Sequence, residues 1–276
     1  MRISVIITDF RKPQMLVRSL ASVRKDCPTA EIIVSDVAAL PETEALVRKT
    51  DDQAIYLGHV DNIGFARAVN IGFQRVTGDY ILVVNADVEL LPGTIKTMAD
   101  YLKQHSDVGL VGPKILDPSG GFVTSPRRFY RFPLTVLARR TRFGNTRWGH
   151  RFTNEHLMQD LDRDQEHAVD WILGEAMMTT RAALKRVGHM DERFFLYLED
   201  TDWCWSFWEN GLQVFYLPQA VVREIESTGE INKAYKQGIT SVNSKYTRIH
   251  IRSYWRFIRK HGFGHTPRVK VFSRTV

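Results

Sequence analysis

Three features of the 276-residue sequence predict an α/β fold with a mostly parallel sheet flanked by helices. First, four short, continuous apolar runs read as strands covered on both faces: Ile3–Ile7, Glu31–Ser35, Ala54–Leu57 and Tyr80–Val84. Second, the connecting stretches have helical spacing. Gln14–Arg24 carries Leu16, Leu20 and Val23 on one face, with Pro13 at a first-turn position where a missing N–H costs nothing, and Gly64–Arg75 reads as a second helix. Third, strand and helix alternate, as βαβ units require.

After Ala86 the pattern changes. Thr94–His105 reads as a helix and Val108–Val111 as a strand. Residues 114–164 form a long basic region, weakly periodic and rich in turns. Trp171–Thr180 reads as a strand, Arg181–Val187 as a helix, and Thr201–Asn210 as a helix stopped by Gly211 at C′. Gln213–Leu217 is the last predicted strand, ended by Pro218, and residues 244–260 have helical spacing.

The length suits one large domain with a small extension. Hydrophobic residues at 43% and charged residues at 25% exclude a disordered chain. Cys27 and Cys204 are the only cysteines, which gives no disulfide framework and suits a reducing compartment. The apolar run at the N-terminus is too short for a secretory signal, and no window of 18 apolar residues occurs. A cytoplasmic location follows as the expectation, with peripheral contact at the inner face of the cell membrane as its extension.

The net charge is +7, with a pI of about 9.4, which favours anionic partners. From Arg127 to Arg151 there are eight arginines and no acid, interleaved with Phe129, Tyr130, Phe132, Phe143 and Trp148. This stretch is either a solvated helix face or an interfacial patch. Nucleic acid is not an expected partner, because no recognition motif accompanies the charge.

In an open parallel sheet, ligands lie beyond the carboxyl ends of the strands. Here those places hold Thr8-Asp9, Asp36, Gly58–Asn62 and Asn85-Ala86-Asp87. A row of acids at one edge repels itself unless a cation joins it. Asp87 suits a hard cation bridging two phosphates, or else an Asx turn. Asp36 suits a ribose or base edge, or a simple strand-end turn. Asn62 to Asn70 combines a polar cap, Gly64 and Arg67, which suits a diphosphate or an ordinary capped helix. Glu199, Asp200 and Asp202 follow a run of aromatics at a helix start, as dipole-favoured caps or as a carboxylate desolvated to base strength. The motifs GxGxxG, GxxxxGK[ST], GxSxG, HExxH and CxxC are absent, which removes the dehydrogenase, P-loop, hydrolase-elbow and zinc readings. His59, His150, His156, His167 and His189 are scattered and read as surface or satisfied histidines.

In linear order, ISVIITDFRKPQMLVRSLASV, EIIVSD, NIGFARAVNIGF, GDYILVVNADVEL, VGLVGPKILDPSG and VDWILGEAMMTTRAALKRVGHMDERFFLYLEDTDWCWSFWENG resemble family 2 glycosyltransferases of the GT-A fold, rhamnosyltransferase-like branch. The likeness covers roughly residues 2–222. It implies a catalytic domain over 1–222, with a nucleotide-sugar-binding half (1–112) and an acceptor-binding half (113–222), followed by a basic, helical C-terminal extension over 223–276.

By resemblance, Asp87 holds Mg²⁺ or Mn²⁺ against the donor diphosphate, and Thr8, Asp36, Asn62, Arg67 and Asn85 line the nucleotide sugar. Asp200 is the general base. Glu199 and Asp202 support it or bind acceptor hydroxyls, and Trp171 and Gly174 line the acceptor side. The family often has a metal-ligating His after the last strand; here Glu224 or Arg223 stands near that point. The expected reaction is an inverting transfer of rhamnose from dTDP-rhamnose to a polysaccharide or polyprenyl-linked saccharide acceptor in cell-surface glycan synthesis. The alternatives are a UDP-sugar donor on the same fold, or a non-catalytic sugar-nucleotide-binding module.

Overall fold

The structure is a computed structural model that describes residues 1–226 and 245–263. The first half runs β1 (Ile3–Asp9), α1 (Pro13–Asp26), β2 (Glu31–Asp36), α2 (Pro41–Thr50), β3 (Ile55–Gly58), α3 (Phe65–Phe73), β4 (Tyr80–Asn85). Next come β5 (Val88–Leu90), α4 (Thr94–Gln104), β6 (Val108–Leu116), β7 (Phe122–Val123), α5 (Leu134–Arg140), a 3₁₀ turn (Arg142–Asn145) and α6 (Arg147–His156). The remainder is β8 (His167–Ala168), β9 (Ala176–Thr180), α7 (Arg181–Val187), α8 (Glu199–Glu209), β10 (Gln213–Glu224) and α9 (Lys245–His261).

One sheet carries the order β3-β2-β1-β4-β9-β6-β10-β5, with β7 on β6 and β8 on β10. The first four strands are parallel, and β9 is inserted antiparallel between β4 and β6. Alternate residues of β1 feed two cores. Val5 and Ile7 pack with Leu16, Leu20, Ile95 and Met98 of α1 and α4. Ile6 packs on the other face with Val69 and Phe73 of α3 and Trp203 and Phe207 of α8. Burial on both faces is why these strands read as unbroken apolar runs. Each fully buried large side chain contributes roughly 1.5–3 kcal/mol.

Several expectations need correction. The run Ala54–Leu57 is not a fully covered strand: β3 is the outermost strand, and its residues are at least partly open. Trp171–Thr180 pairs as a strand only from Ala176. The last strand does not end at Pro218 but runs to Glu224; the pairing with β6 jumps between Leu217 and Val221, and this bulge absorbs the missing N–H. The basic 114–164 region contains α5 and α6. Further differences are the helix α2, the strands β5, β7 and β8, the extension of β6 to Leu116, and α8, which begins two residues earlier than its spacing implied.

Beyond the bulge, β10 pairs antiparallel with β5, setting Glu224 opposite Val88. The described part of the C-terminal extension packs against the segment leading into α8: Phe257 is buried, and Ser253 Oγ donates to the Leu196 carbonyl at 2.9 Å.

Gly64 caps α3 with φ +81°, and a Cβ there would lie 2.5 Å from the Phe195 carbonyl oxygen. Phe65 N–H donates to that same oxygen, so the helix start is pressed against the segment leading to α8. Gly64→Ala is expected to destabilise the protein by roughly 1–3 kcal/mol, and more than Gly93→Ala, where φ is +85° but no atom lies within 4 Å. Urea unfolding of both variants measures the difference; equal losses would remove the close approach as the cause.

Candidate active site

The carboxyl ends of β1, β2 and β4 meet at one edge. Thr8 is in register with Asn85, and its hydroxyl donates to Asn85 Oδ1 at 3.0 Å. Asp9 is in register with Asp36, and both are buried. The Asp36 oxygens accept from the Ala38 N–H (3.1 Å) and the Tyr56 hydroxyl (2.8 Å). Burial, and then the Asp36 charge, push the Asp9 carboxyl up to about 7, against hydrogen bonds from the Lys12 N–H. At the mouth of this edge Asn62 and Arg67 are exposed. Asn62 Oδ1 accepts from the Gly64 N–H at 3.0 Å, and Arg67 lies 3.9 Å from Glu192.

Asn85-Ala86-Asp87 is held by backbone on three sides. Ala86 N–H donates to the Thr8 carbonyl, Asn85 N–H to Glu175, and Ile225 N–H to Asp87 at 2.7 Å. The Asp87 carboxylate meets Lys12 Nζ at 2.7 Å. Glu224 faces it: burial, then the charge of Asp87, push the Glu224 carboxyl up to about 7. Side chains alternate along a strand, so Glu224, and not Arg223, turns the same way as Asp87. Glu175, just before β9, is pushed up to about 8 by burial, then by the charges of Glu224 and Asp87. Its Oε2 is buried without a hydrogen-bond partner.

The third component enters from α8. Tyr197 (φ +69°) and Leu198 (φ +65°) are consecutive left-handed residues, a sparsely allowed turn that delivers Glu199 and Asp200. Asp200 Oδ2 accepts from the Gly174 N–H at 3.1 Å, and Oδ1 from the Thr201 N–H at 2.7 Å. Burial raises the Asp200 carboxyl, against these bonds and the Arg127 charge. A Cβ at Gly174 would lie 3.4 Å from Asp200 Cβ, in ordinary van der Waals contact. Burial, then the charge of Asp200, push the Glu199 carboxyl well up, and Glu199 Oε2 has no partner. Glu175 also feels the charge of Asp200, so the ends of β4 and β10 and the start of α8 converge around Glu175.

Two expected positions stand apart. Asp202 lies two residues on from Asp200, roughly 200° round the helix. It is buried against α9, 2.7 Å from both Lys260 Nζ and His261 Nε2, and does not stand beside Asp200. Trp171 is only 4% exposed; its indole N–H donates to the Arg128 carbonyl, and the Arg127 guanidinium lies 5.3 Å from its ring centre. It backs the site rather than lining it. Lys12 and Glu175 have no expected role, whereas Asp9 enters only as one acid of the strand-end row and Arg127 only within the arginine-rich stretch. Glu175 adjoins Gly174 in the segment with the closest family likeness, and Lys12 lies in the opening turn, but neither spacing shows that both reach Asp87.

Among the described residues no three ligating side chains form a ready metal centre. A hard cation shared with phosphate oxygens needs only one or two carboxylates. Asp87 and Glu224, with the orphaned oxygen of Glu175 beside them, fit that requirement.

Asp9 gives a pH signature. Its unfolded carboxyl ionises near ~4, and its folded one near 7. Between these values the native state keeps a proton that the unfolded chain has lost, so stability falls as pH rises through that window. The stability of Asp9→Asn relative to the wild type should therefore grow from pH 4 to pH 7 and then level off; urea unfolding across this range checks it, and a flat difference would contradict it.

Residues 4–173 match the family described as glycosyl transferase family 2. The chain is 28% identical over 181 residues to an N-acetylglucosaminyl-diphospho-decaprenol L-rhamnosyltransferase of Mycobacterium tuberculosis, covering 61% of this chain and 58% of that protein. The fold is similar to GalNAc-T7 with UDP, GalNAc and Mn²⁺ (TM-score 0.59, 15% identity, 81% of this chain and 43% of that one). It is also similar to a mannosyltransferase of Pyrobaculum calidifontis with GDP-Man and Mn²⁺ (TM-score 0.56, 16% identity, 82% and 57%). The fold is thus a GT-A fold, and the chain belongs to glycosyl transferase family 2.

Proposed function

We propose that this chain is an inverting glycosyltransferase of cell-surface glycan synthesis, with Asp200 as the base. The observation that carries the reading is the Asp200 carboxylate, raised by burial, oriented by the Gly174 and Thr201 N–H groups, and sharing Glu175 as a neighbour with Asp87. A raised carboxyl is a stronger proton acceptor for an acceptor hydroxyl. The acceptor oxygen forms the new bond at the anomeric carbon, the diphosphate departs with the electron pair of the old bond, and the hydroxyl proton passes to Asp200. Thr8, Asn85, Asn62 and Arg67 surround the donor, with Asp36 beneath the base or ribose. Asp87 and Glu224 would hold Mg²⁺ or Mn²⁺, which would offset charge on the leaving diphosphate.

The favoured donor is dTDP-rhamnose, supported by the rhamnosyltransferase relative, and the favoured acceptor is a saccharide on a lipid diphosphate, supported by that relative's name. A UDP-sugar is the second reading, supported by the similarity to the UDP- and Mn²⁺-containing structure. Among the described residues no helix is long and apolar enough to cross a membrane.

Thermal shift with nucleotide sugars, with and without Mn²⁺, tests the donor by linkage. Stabilisation by dTDP-rhamnose with Mn²⁺, lost in Asp87→Ala, is expected; stabilisation by UDP-sugars alone selects the second donor, and no response to any donor sinks the reading. Asp200→Asn is expected to keep donor binding and lower turnover by roughly 10²–10⁴-fold. Near-normal turnover in a single-turnover assay would remove Asp200 as the base.

A further inference from the structure

The arginine-rich stretch folds around a cavity of about 1030 Å³ between residues 128–135 and α6. Four arginines line it: Arg128, Arg131, Arg147 and Arg151. Arg128 lies 3.5 Å from Asp170 and Arg131 lies 2.8 Å from Glu155. Arg147 and Arg151 are exposed on one face of α6, four residues apart, and have no acidic partner among the described residues. Asp160 is the remaining acid of the wall, so the guanidinium charges outnumber the carboxylates.

His156, also in the wall, is 2% exposed. Its Nε2 lies 3.1 Å from Arg139 Nη1 and therefore accepts. Burial and the charges of Arg139 and Arg127 hold the ring neutral, so the proton sits on Nδ1. Nδ1 is buried without a hydrogen-bond partner. The Arg128 carbonyl, which accepts the Trp171 indole N–H at 2.9 Å, keeps a second lone pair toward this ring. The positive charge that faces the cavity is therefore that of Arg147 and Arg151, two exposed guanidinium groups with no acidic partner among the described residues, which suit an oxyanion ligand.

Two further features choose among anions. Asp170 of the cavity wall lies four residues before Gly174, whose N–H reaches Asp200, so at most about 14 Å of extended chain separates cavity and base. That is the scale of a sugar unit or two. In addition, Leu134 and Leu137 on α5 and Trp148 on α6 are 39–61% exposed beside the cavity, an apolar platform next to the charge.

The geometry points to a phosphate subsite for a lipid-linked acceptor: the diphosphate of a prenyl-type chain lies in the α5–α6 cavity, held by Arg147 and Arg151. Its chain rests on Leu134, Leu137 and Trp148, and its sugar extends along residues 170–174 toward Asp200. This inference rests on the transferase reading for its direction, and its test is separable from that reading.

Isothermal titration of the full chain with geranyl diphosphate, in metal-free buffer, provides the test. Wild-type protein is expected to bind it, and Arg147→Ala/Arg151→Ala to bind at least tenfold more weakly, with unchanged circular dichroism and unchanged binding of UDP or dTDP with Mn²⁺. Equal binding by wild type and variant, or no binding by the wild type, overturns the subsite. So does inorganic pyrophosphate binding as tightly as geranyl diphosphate, which would make this a free-anion site. Loss in the variant only of binding to phosphatidylglycerol vesicles would assign the arginines to bulk headgroups and likewise overturn it. If the wild type binds geranyl diphosphate but no nucleotide, the donor reading fails and the subsite stands.

Discussion

Mutual repulsion among carboxylates in a poorly solvated cleft governs the rest of this structure. Asp87, Glu224 and Asp200 lie within electrostatic reach of Glu175, and burial together with these charges raises the Glu175 and Glu224 carboxyls. Among the described residues, the opposing charges are Lys12, at 2.7 Å from Asp87, and Arg127. A cleft with this charge is stabilised by a cation and is able to hold a proton near neutral pH, the two properties that displacement of a diphosphate by a hydroxyl demands.

The backbone arranges this crowding in three steps. The insertion of β9 between β4 and β6 places Glu175 against Asn85, through the Asn85 N–H. The bulge around Pro218 lets β10 run far enough to set Glu224 across from β5, next to Asp87. The left-handed pair Tyr197-Leu198 turns the chain sharply into α8, so that Asp200 meets the Gly174 N–H. Strain of this kind persists only where surrounding packing enforces it, and here Gly64 against Phe195 and the buried Phe194 supply that packing.

α9 ties the extension to the same helix. Asp202, the third acid of the motif, is used up in contacts with Lys260 and His261, so α8 presents one face to the cleft and another to the C-terminal helix. The Tyr130–Tyr254 and Phe132–Tyr254 ring contacts carry the connection on to the arginine-rich unit. α9 therefore contacts both α8 and the basic, aromatic surface.

Local pattern sufficed for the parallel half of the sheet, because β1, β2 and β4 bury both faces and α1 has a clean apolar stripe; the family likeness, carried by ordered segments, named Asp87 and Asp200. Local pattern failed where partners are remote. Pro218 looked like a terminator because its bulge exists only against β6. Asp202 looked equivalent to Asp200 because sequence adjacency hides a rotation of roughly 200°. Lys12 and Glu175 carried no signal, since their meeting with Asp87 spans 75 residues in one case and a strand insertion in the other. Periodicity and acid placement thus specify which chemistry the chain can host, whereas which carboxylates share a dielectric environment is decided by long-range packing, because burial and charge proximity are properties of neighbours in space.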